Sequence, residues 1–244
     1  MAIIHYPKDE LIEELWLPKA RETKALIYPR RKKNARMSLF TLTDGINLNE
    51  IFKFEEENLI QREDSVAWVT TMIKRNRVES ESIGYVLDGH IYDQSFLDSS
   101  CPLISRFPFD ILNLDFGSQD PDLGQGRIEI EIKKLEKIIS LQGQKNSERF
   151  LLIYTTLIDA SSIEPQHIIQ NSNAVTVDGW NGLDIRNSSS SITNSDNKRD
   201  FLLALFNKLL EKYDYNCHTG LACLTRECSR DREEVFSIAG IIVR

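Results

Sequence analysis

Cysteine is scarce: Cys101, Cys217, Cys223 and Cys228 are the only four in 244 residues, too few for a disulfide scaffold and compatible with a reducing compartment. Long apolar runs are missing, since none approaches the ~18 residues of a membrane span. The opening MAIIHYPKDELIEELW has no basic leader followed by an apolar core and a small-residue cleavage site. A soluble, cytoplasmic protein without a membrane partner is therefore expected. Excess positive charge is absent as well. The 30 Lys and Arg against 37 Asp and Glu leave a net charge of −7, which argues against a surface that traps nucleic acid everywhere. No G-x-S-x-G, P-loop or H-E-x-x-H occurs, which removes the motif-level case for hydrolase elbows, Walker NTPases and zincins.

What is present suits one sizeable core, with 41% hydrophobic and 27% charged residues. Residues 1–36 read as an N-terminal extension. Leu11, Ile12, Leu15 and Trp16 fall at helical spacing, and a basic run follows, Arg30, Arg31, Lys32 and Lys33 with Arg36. From residue 37 to 244 short apolar runs alternate with helical stretches, as in a βαβ succession with a parallel sheet. Strands are expected at Met37–Thr43, Asn58–Arg62, Ser82–Leu87, Phe109–Phe116 and Arg149–Ile158. Helices are expected at Leu48–Glu57, Asp64–Asn76 and Arg127–Leu141, and another from Lys198. Two terminal strands, Asn216–Arg226 and Glu233–Val243, form a hairpin across the polar stretch 227–232. Residues 160–197, poor in large apolar side chains, read as a long polar excursion.

Five strands alternating with helices, a last helix and a terminal hairpin at the sheet edge resemble the class I S-adenosylmethionine-dependent methyltransferases. The resemblance implies an α/β, Rossmann-like fold with a mostly parallel sheet flanked by helices, and S-adenosylmethionine as cofactor. In such sheets ligands sit at the carboxyl ends of the strands, near the point where strand order reverses. Strand-end residues are therefore the candidates. Asp44 and Gly45 follow the first strand, where the family has a glycine-rich loop, although this chain offers one glycine there. Glu63 and Asp64 follow the expected second strand and resemble the family's carboxylate on the ribose hydroxyls, with Asp64 also readable as a helix cap. Asp88 and Gly89 look like the adenine-edge position and read equally well as a hairpin turn. Asn113, Asp115 and Phe116 stand where amino-methyltransferases hold the target amine and stack an aromatic on a base, without that motif's prolines. Asp115 could act as acceptor or general base.

The basic run Arg30–Lys33 with Arg36, extended by Lys74, Arg75 and Arg77, is the candidate contact to nucleic acid. Two functions compete. One is methyl transfer to nucleic acid or a nucleotide-like substrate. The other is a catalytically inactive methyltransferase fold serving as the binding subunit of a nucleic-acid processing or defence complex, with the face of Leu11, Leu15 and Trp16 docking a protein partner. Weaker candidates are a divalent-metal site from Asp88, Asp93, Asp115 and Asp120, a zinc set from Cys217, His218, Cys223 and Cys228, and a Cys217–His218 nucleophile. No metal is expected.

Overall fold

The computed structural model describes residues 8–29, 35–43, 45, 48–90, 96–116, 127–159, 180–182, 195–226 and 233–244. Strands are β1 (Leu39–Leu42), β2 (Val66–Val69), β3 (Tyr85–Asp88), β4 (Ile111–Asp115), β5 (Arg149–Asp159), β6 (Trp180–Gly182), β7 (Asn216–Arg226) and β8 (Glu233–Val243). Helices are α1 (Lys8–Leu11), continued by a π-helical turn (Ile12–Trp16) into α2 (Leu17–Ile27), then α3 (Asn49–Glu56), α4 (Met72–Ser80), α5 (Arg127–Gln144) and α6 (Ser195–Glu211).

All eight strands join one sheet in the order β3-β2-β1-β4-β5-β8-β7-β6. Every pairing is parallel except the two made by β8, so β8 alone runs against its neighbours. Strands 1, 2 and 3 grow outward on one side, and the chain then crosses to lay β4 against the other flank of β1. The order reverses between β1 and β4. The antiparallel β7–β8 pair is as expected, but it is not the outermost element, because β6, inside the expected polar excursion, pairs with Gly220–Ala222 beyond it. Helix α6 also begins within that excursion, at Ser195.

Alternation along each central strand sorts side chains to two faces. Phe40, Leu42, Trp68, Leu112, Leu114, Phe150, Leu152, Tyr154 and Phe236 pack against α5 and α6. Leu39, Ala67, Val69, Ile111, Leu151, Ile153 and Ala239 pack under the N-terminal helices, α3 and α4. The amphipathic N-terminal segment belongs to this second core: Leu11, Leu15 and Trp16 are each 0% exposed. That face, the expected docking face for a protein partner, is thus taken up by the chain's own sheet.

A further stretch departs from the sequence expectation. Residues 58–62 contribute only an isolated bridge, Ile60 to Met37, and the helix expected over 64–76 is split. Val66–Val69 form β2, buried on both faces, and α4 starts only at Met72. A doubly covered parallel strand is an unbroken apolar run, and Val66 and Val69, three apart, imitate a helical stripe. Met72 and Ile73, which completed that stripe, are 68% and 84% exposed.

Candidate functional site

The strand order reverses at the carboxyl ends of β1 and β4, the position where Rossmann-like sheets bind ligands. Thr43, Asn113 and Asp115 meet there, all fully buried. Asn113 pairs in register with Thr41, and its Nδ2 donates to Thr41 Oγ1 at 3.1 Å. Among the described residues its Oδ1 accepts no hydrogen bond, an open acceptor inside the protein. Asp115 lies in register with Thr155 of β5. Thr155 Oγ1 is 2.8 Å from Ser237 Oγ on β8, and Ser237 accepts from Trp16 Nε1 at 3.2 Å. Thr41, Asn113, Asp115, Thr155 and Ser237 alternate with the residues facing α5 and α6, so they form one buried polar row under the N-terminal helices.

The turn after β1 closes on protein. Gly45 N donates to Thr43 Oγ1 at 3.2 Å. Gly45 has φ +68°, a conformation that favours glycine, and a Cβ there would lie 2.9 Å from Lys74 Cβ. Its lack of a side chain thus lets the turn approach α4. Asp44 lies outside the described residues.

Glu63 and Asp64 are not at the reversal. They form an exposed 3₁₀ turn, Arg62–Asp64, that enters β2, so they stand at the opposite end of the strand from the one a ligand would meet. This corrects the expected placement of both after the second strand, and the cause is the shift of that strand from 58–62 to Val66–Val69. Nor does Asp64 cap the following helix, since Thr71 does so by accepting from Lys74 N at 3.4 Å. The true end of β2 carries Thr70 and Thr71, and Lys74 Nζ donates to Thr70 Oγ1 at 3.1 Å. Hydroxyls occupy the position where the resemblance implies a carboxylate.

Asp88 does end β3, and its Oδ1 accepts from Arg75 Nη1 at 3.0 Å. Gly89 follows, its N–H on Val69 O at 2.9 Å and its carbonyl accepting from Trp68 Nε1 at 2.8 Å. β3 pairs in parallel with β2 at the sheet edge. Phe116 is fully buried, its ring 5.5 Å from that of Tyr154 in the core beneath α5 and α6. It packs in the core, because the residue after Asp115 points to the other face of the sheet.

Arg36 precedes β1, where its Nη2 donates to Asn58 Oδ1 at 2.8 Å. Arg30, Arg31, Lys32 and Lys33 lie outside the described residues. Arg36 stands at the amino end of β1, whereas Lys74 and Arg75, in the first turn of α4, stand at the carboxyl ends, so these do not form one continuous patch. Among the described residues no group of three or more His, Cys, Asp or Glu side chains could hold a metal ion, while Asp93, Asp120 and Cys228 lie outside them. Burial pushes the Cys217 thiol up to about 12, which opposes a nucleophilic thiolate. No helix among the described residues is long and apolar enough to cross a membrane.

Strand-end reasoning missed Thr41, Thr155, Ser237 and Trp16. The first three carried a signal, a hydroxyl recurring on one parity of otherwise apolar strands. Trp16 carried none, because its partner is 221 residues away.

No family model matches the sequence, and no curated protein matches it. Solved structures similar to it include M. jannaschii TYW2 in complex with AdoMet, at 9% identity and TM-score 0.45 over 93% of this chain and 77% of that one. The plantazolicin methyltransferase BamL, in complex with a triazolic desmethylPZN analog and SAH, is 8% identical with TM-score 0.42 over 96% and 86%. SAM-bound CalS10, an amino pentose methyltransferase from Micromonospora echinaspora, is 9% identical with TM-score 0.41 over 98% and 99%. With strands growing outward on both sides of β1 and a C-terminal strand inserted antiparallel next to β5, the chain has a divergent methyltransferase-like α/β fold.

Proposed function

We propose that the chain binds S-adenosylmethionine at the β1–β4 reversal and transfers its methyl group to nucleic acid or a nucleotide-like acceptor. The observation that carries this reading is the buried Asn113 Oδ1, an open acceptor at the strand-order reversal, beside the buried carboxylate of Asp115. Oxygen acceptors suit a ligand or substrate that brings amine N–H groups. The donor set fits the cofactor at the ends of β1 and β4. It is poorer at the end of β2, where Thr70 and Thr71 replace a charged acceptor. A hydrogen bond to a charged group is worth about 1.5–3 kcal/mol, so ribose recognition here rests on weaker, neutral partners.

When bound, the cofactor supplies an electrophilic methyl group on a sulfonium. The chain's own residues orient and accept. Asn113 is held by Thr41 with its carbonyl oxygen available to an acceptor amine, and Asp115 provides the carboxylate that takes up its proton. Rate enhancement comes mainly from in-line positioning. Lys74, in the first turn of α4 at the same end of the sheet, supports an anionic acceptor.

Calorimetric titration of the purified chain with S-adenosylmethionine and S-adenosylhomocysteine tests this reading. Asp115→Asn is expected to weaken binding about tenfold, in line with the loss of a charged acceptor. Glu63→Ala is expected to leave it unchanged, since that side chain faces the other end of β2. Absence of binding by folded wild-type protein would refute the proposal.

A further inference from the structure

At the amino ends of the strands, away from the β1–β4 reversal, two cations converge on one neutral residue. Lys24 Nζ, in the last turn of α2, donates to Asn58 O at 2.6 Å. Arg36 Nη2, just before β1, donates to Asn58 Oδ1 at 2.8 Å. Asn58 itself follows α3 in the left-handed conformation, φ 57°, that often ends a helix. Among the described residues neither cation has a carboxylate at ion-pair distance. The carboxylates around them are engaged elsewhere, Glu57 with Arg21 at 2.9 Å and Glu55 with Arg62 at 3.2 Å, while Asp110 accepts from Ser38 N, Ser38 Oγ and Tyr28 Oη. Burial and the Arg36 guanidinium together hold the Lys24 ammonium below its usual value, as two like charges side by side require. In sequence the pair brackets Arg30, Arg31, Lys32 and Lys33.

One cation is enough to complement the carbonyls past the end of a helix; a second beside it adds repulsion that an anion relieves. In a chain of net charge −7, a pair of cations left without a carboxylate is a local reversal of sign. We propose that Lys24 and Arg36 form a phosphodiester-binding site that holds the backbone of a nucleic-acid strand, separate from the β1–β4 reversal. Arg36 brings a guanidinium fork that matches two phosphate oxygens, and Lys24 a point charge. Both residues are partly exposed. From Arg36 to Thr43 the chain runs seven residues along β1, roughly 23 Å. A free nucleotide held at the reversal does not reach that far, whereas a strand does. The site itself does not depend on the cofactor reading; only the choice of a polymer over a free nucleotide as methyl acceptor rests on it.

The test is fluorescence anisotropy of the full chain with a labelled single-stranded RNA and with DNA of the same sequence, over a series of salt concentrations and without any S-adenosyl ligand. For single strands the logarithm of the binding constant falls with the logarithm of salt concentration by about 0.7 per phosphate contact. Lys24→Gln and Arg36→Gln should each make that slope shallower by about 0.7, for RNA, DNA or both, whereas Lys24→Arg keeps the wild-type slope. Lys208→Gln removes an exposed cation of α6 and serves as the charge-matched control, with an unchanged slope. Lys24→Gln and Arg36→Gln proteins that melt below the wild type yet bind with its slope would show that these side chains only tie α2 to α3, and would overturn the site. An equal change in Lys208→Gln would overturn it too, by reducing the effect to net charge. Wild type that binds inorganic phosphate in a calorimetric titration but neither strand overturns the polymer ligand. Because the cofactor is left out, a failed S-adenosylmethionine titration leaves a positive result here standing, and a failure here leaves the cofactor reading to its own titration.

Discussion

Gly84→Ala tests the strand register that moved Glu63 away from the reversal. A Cβ at Gly84 would lie 1.6 Å from Glu63 O and 2.4 Å from its carbonyl carbon, against an optimum of about 3.5 Å for non-bonded heavy atoms. The obstacle is backbone and cannot rotate aside, so the approach to β3 and the 3₁₀ turn before β2 must part by roughly 2 Å. Such a shift breaks Gly84 N–H to Arg62 O, 3.0 Å, and Tyr85 N–H to Ser65 O, 3.1 Å. Overpacking costs about 1–3 kcal/mol, and the two hydrogen bonds add about 1 kcal/mol each. The sum is about 3–5 kcal/mol. At ~2–4 °C per kcal/mol for a domain of this size, the melting temperature should fall by roughly 6–20 °C. Gly143→Ala is the matched control: its Cβ would meet Tyr215 Cε2 at 3.7 Å, an ordinary contact, near the end of α5. It should stabilise by up to about 1 kcal/mol. Calorimetric melting of the two variants decides. A Gly84→Ala protein melting with the wild type would refute this register, and with it the placement of Glu63.

Gln142 brackets Phe109, accepting from its N–H at 2.9 Å and donating to its carbonyl at 2.7 Å. Gln142→Ala should therefore lower stability by about 2–4 kcal/mol, read as a drop in the urea midpoint at constant slope. Cys217, its thiol pushed up to about 12 by burial, should react with iodoacetamide at pH 8 about 10³-fold more slowly than an ordinary thiol; peptide mass mapping that shows equal rates for Cys217 and Cys101 would contradict this. The hydrogen bond from Lys212 Nζ holds the Glu136 carboxyl below the usual carboxylate range, helped by Tyr213 Oη at 3.1 Å and opposed by burial. Stability from this group is present above its unfolded value, about 4.3, and is lost as pH falls through the lower folded value. The urea midpoint of Glu136→Gln should accordingly vary less than wild type between about pH 5 and 3; parallel curves would remove the linkage.

Elements long enough to show their period were legible in the sequence. The α5 stripe of Leu135, Ile138 and Ile139, the apolar run of β5 and the alternation of β7 and β8 lie where their patterns put them, because burial on a defined face forces the pattern. Asn113 and Asp115 were legible too, as polar groups at the end of an apolar strand. Contacts between distant segments were not. Nothing near Trp16 announces Ser237, since the sheet order that brings β8 beside β5 is set by packing of the whole chain.

The misplaced carboxylate shows how strand ends amplify a local error. Val66 and Val69 satisfy a helix and a buried strand equally well, and only the two-sided cover over Ala67 and Trp68 decides for the strand. A second strand at 58–62 would have put Glu63 at its carboxyl end. The strand in fact begins after Glu63, and its four residues carry the chain about 13 Å to the reversal. Across that distance, through screening water, a carboxylate contributes well under 1 kcal/mol to a bound ligand. On the proposed reading the site is built from what remains at the reversal, Thr43, Asn113, Asp115 and the hydroxyl row behind them. These groups come from four elements of the fold, and the N-terminal helix that looked like an appendage supplies the donor at the end of the row.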